Sequence, residues 1–91
     1  MTYSLRRTRD GAGDSGPSMI INRRNPDTNE YEYERGVKPR VGWAVQVGSI
    51  AARSYAAQDF WQTTYVSEIL EERDDYVRFK TGNSEYEWSI F

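Results

Sequence analysis

The feature that most limits what this chain can fold into lies near its carboxy-terminal end. There Gly82 and Asn83 separate two runs, Tyr76–Thr81 and Ser84–Phe91, in which apolar and charged side chains alternate. Glycine before asparagine suits a two-residue type II′ hairpin turn. With those two residues as the loop, Thr81 faces Ser84, Lys80 faces Glu85, Phe79 faces Tyr86, Arg78 faces Glu87 and Val77 faces Trp88. One face then pairs rings and aliphatic groups, and the other pairs cation with anion twice, each pair worth about 0.2–1 kcal/mol. A slip of one residue would set Phe79 against a glutamate, so the pattern enforces its own register. A ribbon of two strands is marginal in water, so more strands are expected beside it.

Upstream signals agree with an all-β domain. Thr63–Val66 has high strand propensity, and the turn cluster Glu72–Asp75 separates it from Tyr76. Val66, Ile69 and Leu70 do not share one parity, which leaves the register across that turn open, and Ser67–Glu72 would also suit a helical turn. Strand is preferred because the last hairpin needs a neighbour. Val41, Trp43, Val45 and Val47 alternate with Gly42, Ala44, Gln46 and Gly48, as a strand with one buried face requires, and Gly48 marks a bulge or bend. Ala51–Gln62 reads as a long loop with one helical turn. Ten of the thirteen aromatic residues lie in 41–91, which places the core there.

The first forty residues are more polar. Met19, Ile20 and Ile21, a turn cluster over Asn25–Asn29, and Tyr31 and Tyr33 alternating with glutamates make 18–36 a hairpin, or an extended segment fixed by its two tyrosines. Residues 1–17 combine three glycines and a proline with Arg6, Arg7, Arg9, Asp10 and Asp14, and are read as a flexible arm. The expected architecture is a small SH3-like or OB-like partly open barrel, or a strongly bent antiparallel sheet, of about five strands over 18–91, with 41–91 as its core meander.

Composition removes whole classes of chemistry. The chain has no Cys and no His, which excludes zinc sites built on thiolate or imidazole and Ser-His or Cys-His catalysis. No pair of carboxylates is singled out as acid and base, so no enzyme, cofactor or metal is expected. No apolar run approaches the roughly 18 residues that cross a bilayer, and the address expected by default is cytoplasmic, with no membrane partner. Residues 1–40 carry eight basic against six acidic side chains, whereas 54–91 carry three against eight. The asymmetry permits a basic region beside an acidic body.

Three groups are candidates for binding. Phe60 and Trp61, next to Asp59, either anchor a protein partner or close the mouth of the domain. Arg23, Arg24, Arg35, Lys38, Arg40 and Arg53 with Tyr31, Tyr33 and Trp43 either stack and neutralise single-stranded nucleic acid or are solvated strand edges. Glu68, Glu71, Glu72, Asp74 and Asp75 either attract a cation or basic partner or form a solvated turn. The partner-binding residues expected from these patterns are Phe60, Trp61, Tyr31, Tyr33, Arg23 and Arg24. The expected function is a non-enzymatic interaction module that binds protein or itself, with a nucleic-acid-binding barrel as the alternative.

The stretches WQTTYVSEI (Trp61–Ile69) and VRFKTGNSEYEW (Val77–Trp88) resemble a pattern in small uncharacterised bacterial and phage proteins. In that pattern a Thr-Ser or Thr-Thr step before Val-x-x-Ile is followed by a strand ending Thr-x-Asn-Ser-x-Tyr. The resemblance covers about a third of the chain, none of it before Val41, and implies a compact β meander with no assigned chemistry; an accessory or assembly protein of the phage kind is one case of the interaction module expected above.

Overall fold

A computed structural model describes residues 1–48 and 60–91. They form nine strands: β1 (Tyr3–Arg7), β2 (Gly13–Gly16), β3 (Ser18–Arg24), β4 (Tyr31–Arg35), β5 (Ala44–Gly48), β6 (Phe60–Gln62), β7 (Val66–Arg73), β8 (Tyr76–Thr81) and β9 (Glu85–Ile90). The strands make two antiparallel sheets, ordered β2-β1-β9-β8-β7 and β4-β3-β5-β6, which bend towards each other without closing into a barrel. None of the described residues is helical. No helix is long and apolar enough to cross a membrane among them. The helical turn expected within Ala51–Gln62 falls mostly on residues outside this description, and Phe60–Gln62 is strand.

The carboxy-terminal ribbon has the register its sequence specifies: Lys80 opposite Glu85, Phe79 opposite Tyr86, Arg78 opposite Glu87 and Val77 opposite Trp88. Phe79 and Tyr86 stack with ring centroids 5.6 Å apart. The two cation–anion pairs that face each other do not close as ion pairs; the contacts run diagonally instead. Arg78 donates to Glu85 at 3.3 Å, while Glu87 accepts a 2.6 Å hydrogen bond from the Tyr76 hydroxyl. Long side chains reach a diagonal neighbour as readily as a direct one.

β7 resolves the mixed parity of its apolar residues with two register shifts, one between Val66 and Glu68 and one between Ile69 and Glu71. Each places an extra residue in the strand, so that Val66 opposite Thr81 and Ile69 opposite Phe79 both turn towards the core.

The arm expected over residues 1–17 is instead two strands. β1 sits between β2 and β9, with Leu5 opposite Trp88 and Tyr3 opposite Ile90. Leu5 is fully buried and the Tyr3 ring lies 6.1 Å from Trp88. Two inward side chains were enough, because the exposed edge of β9 supplied both backbone partners and an apolar surface to cover. The core therefore draws on both ends of the chain: Leu5, Ile21, Val45, Val47, Val66, Val77, Phe79 and Trp88 are all solvent-inaccessible.

The sheets are joined at two corners. β2 passes into β3 through Gly16-Pro17-Ser18, and a Cβ on Gly16 would stand 2.5 Å from the carbonyl carbon of Gly48, so only glycine allows the two backbones to approach there. β6 passes into β7 through Thr63–Tyr65, where the Thr63 hydroxyl accepts a hydrogen bond from the Val45 amide. At the start of β7 the Val66 amide donates to the Trp43 carbonyl and the Val66 carbonyl accepts from Gly42. Gly42, at φ 90°, turns the chain there, so the strand expected from Val41 starts at Ala44 and leaves Val41 exposed.

Candidate functional site

The hairpin of β3 and β4 is where the candidate residues gather. Its turn is held by the Asn25 side chain, whose Oδ1 accepts from the Asp27 and Thr28 amides, and by Asn29 in a left-handed conformation at φ 61°. The register sets Arg23 opposite Glu32, Asn22 opposite Tyr33 and Arg24 opposite Tyr31. Side chains opposite one another share a face, so Tyr31, Tyr33, Arg24 and Arg35 point to one side and Arg23, Glu32 and Glu34 to the other.

On the second side, charges are fully matched. Arg23 Nε donates to Glu32 at 2.8 Å, and Arg40 binds Glu34 at 2.6 Å. Both guanidinium groups also lie over the Trp43 ring, 4.8 and 5.2 Å from its centroid. Arg23 holds the Glu32 carboxyl below the usual range, helped by Asn25, and Arg40 does the same for Glu34. Trp43 is buried under these groups. An open groove of about 580 Å³ runs past them, lined by Arg23, Tyr31, Glu32, Tyr33, Glu34 and Trp43.

On the first side, the aromatic surface is left uncovered by the described residues. Tyr31 and Tyr33 are 56% and 54% exposed, with ring centroids 6.2 Å apart, so their rings are not buried as anchors of the segment. Arg35 lies 5.7 Å over the Tyr33 ring, and Arg24 donates to the Asn29 carbonyl. Tyr65 stands on the same side: desolvation raises the Tyr31 phenol pKa, and the neighbouring Tyr33 and Tyr65 hydroxyls add to the rise. A shallow cleft of about 260 Å³ beside Tyr65 is lined by Asn22, Ala44, Gln62, Thr63 and Thr64. Tyr65 belongs to this surface although the sequence offered it only as a strand former.

The backbone of β4 adds a further element. Gly36 N donates to Met19 O and Asn25 N donates to Glu30 O, which fixes the alternation: Glu32 and Glu34 bond β3, and Tyr31, Tyr33 and Arg35 turn their N–H and C=O groups outward. β4 ends its sheet, and no described residue pairs with those outward groups.

Other candidates go elsewhere. Trp61 opposes Val47 and packs against the core with Arg7 5.4 Å over its ring, so it is not grouped with Tyr31 and Tyr33. Phe60 is placed through its backbone pairing with Gly48, and its side chain lies outside the description, as do Asp59 and Arg53. Arg23 is committed to Glu32 and Trp43, and Lys38 to Glu72 at 3.4 Å. In the acidic cluster Glu71 meets Arg73 and Arg78. No group of three acidic side chains placed to hold a metal occurs among the described residues.

No family model, curated protein or solved structure matches this chain. The surface has to be read from its own chemistry.

Proposed function

We propose that this protein is a non-enzymatic interaction module that captures an extended polypeptide segment along the free edge of β4. The observation that carries the reading is the coincidence, on one strand, of outward-facing backbone groups at Tyr31, Tyr33 and Arg35 with two exposed rings. Strand addition uses such an edge: main-chain hydrogen bonds supply affinity, and alternate side chains of the added strand are read by what lies above and below. Here those are the tyrosine side and the groove beside Trp43. Tyrosine is enriched at binding hot spots because it offers large contact area with little rotamer entropy to lose. An accessory or assembly role of the phage kind would use such an edge in the same way.

The test is selection from a displayed library of random peptides, followed by hydrogen exchange on the complex. Binders are expected to slow exchange at Tyr31, Tyr33 and Arg35. Tyr33→Pro, which removes an outward N–H and no bond to β3, is expected to abolish binding while the fold persists. Binders that leave those three amides unchanged would contradict the reading.

A second reading is single-stranded nucleic acid. It is favoured by the charge of the outer face of the four-stranded sheet, where Arg24 and Arg35 accompany Tyr31, Tyr33, Asn22, Gln46 and Gln62, and no described strand residue carries a carboxylate. Aromatic rings on a sheet surface stack bases without sequence preference. Two arginines give few phosphate contacts, so this reading predicts weak, shallowly salt-dependent binding of oligothymidine, lost in Arg24→Ala and Arg35→Ala.

A further inference from the structure

We infer that the segment captured by β4 is the β4 strand of a second copy of this chain, joined antiparallel about a two-fold axis through Tyr33. The inference rests on the reading of β4 as an open strand-binding edge and names the occupant of that edge.

An edge strand left regular and unpaired is a liability that folded proteins suppress with bulges, proline, brevity or charge. The other edges here show such devices. β7 carries two register shifts and Glu68, Glu71, Glu72 and Arg73. β2 is four residues long and runs into Pro17, and β6 has three residues. β4 pairs with β3 over five consecutive residues without a shift and contains no proline, and its charges are already engaged: Glu32 and Glu34 are bound by Arg23 and Arg40, and Arg35 lies over the Tyr33 ring. Among the described residues it is the one long edge left regular.

The segment Tyr31-Glu32-Tyr33-Glu34-Arg35 is complementary to itself when reversed. The outward residues are Tyr31, Tyr33 and Arg35, and only a two-fold axis at Tyr33 maps that set onto itself. Tyr33 then faces the partner's Tyr33, while Tyr31 faces the partner's Arg35 and Arg35 the partner's Tyr31. Each facing pair exchanges two backbone hydrogen bonds. On the tyrosine side this sets a guanidinium against a phenol ring at both ends, the same contact Arg35 already makes with Tyr33 at 5.7 Å. On the other side Glu32 meets the partner's Glu34. Each carboxylate arrives already bound to an arginine, Arg23 or Arg40, so two ion pairs meet rather than two bare charges.

The product is one continuous eight-stranded sheet, with the tyrosine faces of both copies on the same side. Five residues a side make a contact well below the area of a permanent dimer, so association is weak and concentration-dependent.

Sedimentation equilibrium over about 10 µM to 1 mM, with hydrogen exchange at both ends of the range, tests this. The mass is expected to rise from one chain towards two, with Tyr31, Tyr33 and Arg35 amides slowing only at high concentration. Tyr33→Pro is expected to remain a monomer throughout. Arg35→Glu, which leaves the backbone of β4 untouched and removes both guanidinium–ring contacts, is expected to weaken association about ten-fold. A monomer at 1 mM whose β4 amides are nevertheless protected by displayed peptides overturns the inference and leaves the functional reading standing. A dimer that leaves these amides exposed overturns the inference alone, and a monomer that binds no peptide on β4 overturns both.

Discussion

β7 and β4 are both long strands at the border of a sheet, and they treat that position in opposite ways. β7 has eight residues, three apolar and four charged, and its two register shifts interrupt the run of its backbone groups. β4 has five residues, two aromatic and three charged, but it is in continuous register with β3 and presents its free backbone groups in a row. The two strands are alike in their share of apolar and charged residues, so it is regularity that leaves one edge open to another strand and closes the other. The irregularity of β7 also serves the core, because the shifts are what turn Val66 and Ile69 inward together. The regularity of β4 serves nothing inside the molecule: its inward side chains meet Arg23 and Arg40, and its tyrosines meet solvent.

The contrast breaks first on stability. Phe79→Ala, removing the ring that faces Ile69 of β7, is expected to cost about 3–5 kcal/mol in urea unfolding. Tyr33→Ala is expected to cost within about 0.5 kcal/mol. A comparable loss from both would mean that β4 is built into the core and the comparison fails. Next, β1 lies inside a sheet where β4 lies at a border, so Leu5→Ala is expected to cost about 2–5 kcal/mol by the same measurement. A negligible loss would restore the view of the first residues as an arm.

Smaller effects sharpen the picture of the charged side chains. Arg78→Ala removes a cation that meets both Glu71 and Glu85 on the exposed face of the five-stranded sheet. It is expected to lower the urea midpoint only slightly, far less than Leu5→Ala, and the loss is expected to shrink with added salt. The smallest effect is in acid titration followed by NMR of the carboxyl carbons. Glu32 and Glu34 are expected to titrate below the usual glutamate range, and Asp10, bonded to Arg7 and the Ala12 amide, to fall from 3.8 to about 2. Since these folded-state values are lowered, the stabilisation is complete above the ordinary carboxylate pKa and is lost as pH falls through the lowered values. Ordinary titration of Glu32 and Glu34 would mean that the arginine pairs flanking β4 do not persist in solution.

The legible parts of the fold were those where both sides of a pairing lie close in sequence. The turn at Gly82 fixes the last hairpin because a single loop length determines every facing pair, whereas Asn25–Asn29 marks a turn between β3 and β4 but leaves both the register and the choice between hairpin and extended segment open. β1 was not legible. Its signal is Tyr3 and Leu5 alone, and what makes those two residues a strand is the edge of β9, more than eighty positions away. β7 was legible in kind but not in register, since two inserted residues cannot be located from parity alone. Of the candidate site, Tyr31 and Tyr33 could be recognised from their alternation with glutamate. That they face outward could not, because the same alternation would hold if the tyrosines were buried. The roles of Arg23 and Trp61 depend on Trp43 and Arg7, neither of them a sequence neighbour.

The open edge of β4 is tested most directly by amide hydrogen exchange of the isolated chain at low concentration. Glu32, Glu34 and Gly36 are expected to exchange slowly, and Tyr31, Tyr33 and Arg35 fast, in strict alternation along the strand. Equal protection of Tyr33 and Glu32 in the dilute monomer would show that β4 is already covered, and the proposed mode of binding would have no site.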